Sequence, residues 1–227
     1  MPKSSHHQRE NFTQTRSARI SGVLLATAAA FSSAPANAAE PRQGDTATIA
    51  VPFFPTCLDP SLTQGRQSVA AYQIIDTLTD QDDAGKIVPG VAEKWDIGAD
   101  YKQFTFYLKK GVTFSDGTPL NAETAALTFT TLKGIIGKGQ ADPLSQNALA
   151  SFVEAKAIDE NTLQLTFSHP ELGFLRNASD PYLGLYARRT LEKSVAERCA
   201  GDLIGSGPFV IKSVVKNQEI VLTNRTD

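Results

Sequence analysis

Two short segments alternate so strictly between apolar and polar side chains that they leave few choices for the chain around them. Phe104, Phe106 and Leu108 stand on one side of a strand, with Thr105, Tyr107 and Lys109 on the other. Leu163, Leu165 and Phe167 repeat the scheme against Gln164 and Thr166. A period of two is sheet geometry, and a face carrying this much apolar surface must be covered. The cover lies between the two segments. Asp116-Gly117-Thr118-Pro119 is a turn, and Asn121 is placed to cap a helix in which Ala122, Ala125, Ala126 and Phe129 share one side. Residues 80–181 are therefore expected to form an α+β unit with helices packed on an antiparallel sheet.

The flanks read differently. Thr46 to Phe54 is β-branched and apolar and is expected to be a buried strand, ended by Pro55 and Asp59-Pro60. Val69, Tyr72, Ile75 and Leu78 then recur at helical spacing. After the insert, Tyr182 to Tyr186 reads as a strand and Arg189 to Arg198 as a helix. Gly205-Ser206-Gly207-Pro208-Phe209 opens a strand to about Val215, and Ile220 to Thr223 follows a turn at Asn217. The expected fold class is α/β with an α+β insert: residues 39–79 and 182–227 form one split lobe, and 80–181 is the inserted subdomain.

The first 38 residues set the compartment. Arg16 and Arg19 precede an apolar, small-residue run from Ile20 to Phe31, and Ala36-Asn37-Ala38 offers the small residues a signal peptidase reads. The run falls short of the ~20 residues needed to span a bilayer, which favours a cleaved leader over a retained anchor. Cleavage near Ala38 removes Lys3, Arg9, Arg16, Arg19 and Glu10. The 22 basic and 24 acidic residues become 18 and 23, a formal charge of −5. Mild acidity without a basic run excludes a nucleic-acid partner from the expectations.

Cys57 and Cys199 are the only cysteines, and an even count in an exported chain predicts a disulfide between them. His6 and His7 leave with the leader, so His169 is the sole histidine of the mature chain. One histidine cannot build a multi-histidine metal site, and its place in Ser168-His169-Pro170, after a strand, reads as a turn. Gly205-Ser206-Gly207 invites comparison with a nucleophile elbow, but Ile204 stands two before the serine where glycine is needed. No catalytic residue, metal site or cofactor is expected.

Several stretches carry a family resemblance. They are Leu58-Asp59-Pro60, Asp76-Thr77-Leu78, Gly85 to Trp95 (GKIVPGVAEKW), Phe104 to Leu108, Lys110 to Glu123 (KGVTFSDGTPLNAE) and Gly205 to Phe209. In order and spacing they resemble family 5 solute-binding proteins, the dipeptide, oligopeptide and nickel type. Ile75, Thr124 and Ser206 depart mildly, standing where tyrosine, aspartate and threonine are usual. Val88-Pro89-Gly90 and Asp116-Gly117 read as turns and Trp95 as a packing residue, so the motifs are chiefly architectural.

The resemblance implies a periplasmic binding protein type II-like fold of which this chain holds the first lobe with its inserted subdomain, the second lobe being missing. It implies a periplasmic substrate-binding component of an ABC importer, a monomer that takes a peptide or similar small solute and presents it to an inner-membrane permease. The relatives' main grips on peptide ends lie on the second lobe. Phe53, Phe54 and Thr56, at the end of the first strand, are the candidate ligand-facing residues here. A non-transport envelope or interaction protein built on a receptor fragment is the alternative, and a secreted hydrolase a remote one. A truncated receptor is also expected to expose strand edges and apolar surface, and so to be marginally stable.

Overall fold

Residues 46–62 and 69–226 are described by the computed structural model, and the expected leader lies outside them. The chain divides into units Met1–Thr48 and Ile49–Asp227; only 46–48 of the first are described. Thr46 to Phe54 is not a strand. It has no regular structure, and Ile49, Val51 and Phe53 are exposed at 74%, 45% and 51%. The physical reason lies partly in Pro52 and Pro55, each of which removes a ladder donor. Among the described residues no strand pairs with this stretch, and residues 46–53 are exposed.

The expected helix through Val69, Tyr72, Ile75 and Leu78 shortens to α1, Ala71–Ile74. Val69 and Tyr72 are exposed, while Ile75 and Leu78 are buried beyond the helix end. Ile75 takes φ −118° and ψ 122°, and the carbonyls that follow bond elsewhere. Asp76 O accepts from Leu185 N–H, Thr77 O from Val91 N–H and Leu78 O from Ala92 N–H. Tertiary bonds thus replace the helical ones.

Thr79–Gln81 (β1) and Ile87–Pro89 (β2) form an antiparallel pair, turned at Asp82 to Gly85, where Gly85 has φ +76°. Val88-Pro89-Gly90 is therefore not the turn expected. Gly90 instead permits close approach, since a Cβ there would stand 2.6 Å from Thr77 O.

Ala92–Ile97 (β3), Gln103–Leu108 (β4), Phe152–Asp159 (β5) and Thr162–Phe167 (β6) make a four-stranded antiparallel sheet in the order β3-β4-β6-β5. Register pairs Phe104 with Leu165 and Phe106 with Leu163, which puts both alternating stripes on one buried face. Between β4 and β5 lie α2, Ala122–Gly137, and α3, Pro143–Ala148. Helix α2 starts at Asn121, whose side chain accepts from Thr124 N–H while the Thr124 side chain accepts from Asn121 N–H. Its buried residues Ala122, Ala125, Phe129 and Leu132 join the core of the sheet. Phe129 and Phe152 ring centroids lie 6.2 Å apart, and Phe104 meets Phe167 edge-on at 5.7 Å. Each such ring contributes ~1.5–3 kcal/mol by burial, which makes this the principal core of the chain.

After α4, Phe174–Asn177, residues Pro181–Leu183 form a 3-10 turn capped by Asp180. The strand expected over Tyr182 to Tyr186 is absent. The segment is buried, but its donors go singly to separate partners: Leu185 N–H to Asp76 O, Tyr186 N–H to Thr128 Oγ1 and Ala187 N–H to Ile204 O. The helix expected over Arg189 to Arg198 is two: α5, Arg188–Leu191, and α6, Val195–Ala200. Ser194 and Glu197 form a capping box that restarts the helix, and that Ser-x-x-Glu signal was legible in the sequence. Phe209–Val215 (β7) and Glu219–Asn224 (β8) close the described chain as a hairpin turned at Asn217, φ +61°. Ile211, Val214, Ile220 and Leu222 pack on a second, smaller core of Leu58, Ala71, Ile74, Ile75, Tyr186 and Leu203.

Candidate functional site

The segment carrying Phe53, Phe54 and Thr56 runs along the surface and then dives at Pro55 and Cys57 into the smaller core. Phe53 is exposed, Phe54 half-buried and Thr56 exposed, while Pro55 between them is buried. Immediately beyond, Cys57 is bonded to Cys199 with an S–S distance of 2.04 Å, and Leu58 N–H donates to Cys199 O at 3.0 Å.

Beneath this rim lies a polar cluster that the sequence reading did not assemble. Asp59 is fully buried. Its Oδ1 accepts from Ser61 N–H at 2.9 Å, Ser61 Oγ at 2.7 Å and Tyr186 Oη at 2.7 Å. Arg198 Nε and Nη2 converge on Oδ2 at 2.7 and 2.6 Å. Arg198 is 2% exposed, and its guanidinium sits 5.1 Å from the centroid of the Tyr186 ring. A buried carboxylate is tolerated only when its lone pairs are met in this way. Burial holds the Tyr186 hydroxyl well above its ordinary value, and the negative charge of Asp59 pushes the same way. Asp59 belongs to the Leu58-Asp59-Pro60 motif, but nothing in the sequence pairs it with Arg198; the only hint was Cys199 next door.

Gly205-Ser206-Gly207 has an architectural role. A Cβ on Gly205 would lie 2.1 Å from Ile74 O, and Gly207 N–H donates to that same oxygen. Ser206 Oγ is buried and has no hydrogen-bond partner, so no base is presented to it. His169 is exposed, with its Nδ1 3.0 Å from Ser168 Oγ. Among the described residues no group of three or more metal-ligating side chains is gathered, and no helix is long and apolar enough to cross a membrane.

An open groove of about 470 Å³ lies between the end of α2 and the α5–α6 segment, lined in part by Thr131, Ile135, Lys138, Leu191 and Lys193. Neither Phe53, Phe54 nor Thr56 lines it.

Comparison with solved structures shows that the chain shares the fold of periplasmic binding proteins. The murein tripeptide binding protein MppA of Escherichia coli superposes with a TM-score of 0.67 at 25% identity, over 78% of this chain and 37% of that one. DppA of Helicobacter pylori, solved in complex with the peptide STSA, gives 0.66 at 23% identity, over 77% and 38%. Residues 86–227 match the bacterial extracellular solute-binding proteins, family 5, middle region, and the chain belongs to that family. The "Probable D,D-dipeptide-binding periplasmic protein DdpA" of Escherichia coli K12 is 32% identical over 217 residues, 91% of this chain. The chain spans 40% of that relative's length.

Proposed function

We propose that this chain serves an ABC-type importer as a periplasmic substrate-binding component for peptides or similar small solutes. The observation that carries the reading is the 32% identity over 91% of the chain to a protein named for D,D-dipeptide binding. In this reading residues 1–38 are a cleaved leader, 39–79 with 182–227 form the split first lobe and 80–181 its inserted subdomain. The grouping of buried side chains supports the division, since the smaller core draws on residues 58–75 and 186–222 and the larger falls almost wholly between them. Phe53, Phe54 and Thr56 form the ligand-facing edge, on an irregular segment that belongs to no sheet among the described residues and exposes Phe53 and Thr56. The partner is an inner-membrane permease.

Isothermal titration calorimetry of the exported chain with L-Ala-L-Ala and D-Ala-D-Ala tests this directly. The expected result is saturable binding weakened by Phe53→Ala, and a heat of dilution alone with both peptides would sink it. Mass spectrometry of the periplasmic fraction should find the amino terminus at Ala39. The exposure of Ile49, Val51 and Phe53 also favours a second reading, a non-transport interaction protein. Pull-down of the permease with and without peptide separates the two, because only the importer component responds to peptide.

A further inference from the structure

The polar cluster and the disulfide join the same two segments. Cys57 lies two residues before Asp59, and Cys199 directly follows Arg198. The covalent bond spans 142 residues and the ion pair 139, with the Leu58–Cys199 backbone bond between them. Helix α6, which carries Arg198, has six residues, too few to persist alone. Its capping box and the Lys193–Asp202 ion pair both close within residues 193–202, so neither ties the helix to Asp59.

Closing an ion pair in a dry site across so long a loop is unfavourable unless something else has already brought the segments together. The disulfide does that. It removes open conformations from the ensemble and presents Arg198 to Asp59 at high effective concentration. The larger core of Phe104, Phe106, Leu163 and Leu165 contains none of Cys57, Asp59, Tyr186 and Arg198.

We propose that Cys57–Cys199 and Asp59–Arg198 act as one redox-gated clasp: the disulfide keeps the buried ion pair shut, and its reduction opens residues 57–61 and 186–200 while the sheet stays folded. The opening takes two electrons and two protons from a dithiol, which leaves as its cyclic disulfide while Cys57 and Cys199 become thiols. Re-closure passes the electrons and protons to a disulfide oxidant by the reverse exchange.

Hydrogen–deuterium exchange of the full chain, oxidised and in dithiothreitol, reads the clasp segment by segment. Reduction should speed exchange at 57–61 and 186–200 by about tenfold or more and leave 103–108 and 162–167 unchanged. Unchanged rates at the clasp overturn the proposal. Equal loss of protection in the sheet overturns it as well, because the bond would then staple the whole fold. The linkage is reciprocal, so Arg198→Met should move the midpoint of reduction to an about tenfold lower dithiothreitol concentration. Should that variant not fold, Tyr186→Phe is expected to shift it the same way by less. A midpoint unmoved in the folded variant overturns the coupling.

Discussion

Asp59 shows how much a single buried charge asks of its surroundings. Ser61 reaches it from two residues along the chain and Tyr186 and Arg198 from 127 and 139 residues away, and each donor offsets part of the cost of removing the carboxylate from water. Arg198→Met leaves that charge uncompensated, and urea unfolding of the oxidised chain should show a loss of ~3–5 kcal/mol. A loss within error would mean that Asp59 is neutralised or reached by water once Arg198 is gone. Tyr186 adds a pH dependence. Its folded value is raised above the ordinary 10.0, so its contribution is fully present below about pH 10 and is lost as pH rises through the folded value. Tyr107 shifts the same way through its bond to Asp96, but stands in solvent. Thermal melts from pH 8 to 11 should fall more steeply for the parent chain than for Tyr186→Phe.

Among the elements, α2 and the 203–207 segment are governed by different physics. Helix α2 begins on a reciprocal cap, and Thr124 completes it although aspartate is usual at that position in the family it resembles. Asn121→Ala should cost ~1 kcal/mol, readable as a lowered urea midpoint with an unchanged slope. The 203–207 segment depends on the absence of side chains at Gly205 and Gly207. At Gly205 a methyl group would meet the backbone oxygen of Ile74, which has no rotamer to retreat into. Gly205→Ala should therefore destabilise by about 3 kcal/mol, the upper end of overpacking costs. Gly139→Ala has open space but a φ of +68°, so its smaller cost of ~1 kcal/mol comes from backbone strain alone. The same denaturation series separates these two reasons for a glycine.

For the whole molecule the notable surface is Ile49, Val51 and Phe53, apolar and uncovered ahead of the disulfide. Replacing Ile49 and Phe53 with serine should change unfolding stability by less than about 0.5 kcal/mol, since neither is in the core. It should reduce self-association in sedimentation velocity. If the exposed side chains instead contact the fold, stability falls and association stays the same. This contrast also bears on the proposed function, because a rim that meets a peptide should weaken peptide binding when the same residues are changed.

Local pattern was sufficient wherever neighbouring residues in sequence supply one another's partners. The alternation over 103–108 and 162–167, the Asp116-Gly117 turn and the cap at Asn121 were legible for that reason, and the ordered motifs identified the family. The region 46–54 looked like a strand by composition, yet a strand exists only if another chain segment pairs with it, and composition cannot say whether one does. Residues 69–78 carried helical spacing, but the carbonyls of Asp76, Thr77 and Leu78 found partners at 185, 91 and 92. The same holds for Asp59 and Arg198. Their types and positions are set by the sequence, whereas their pairing is a fact of tertiary structure, because a buried charge is answered by whatever donor the folded chain brings within about 3 Å.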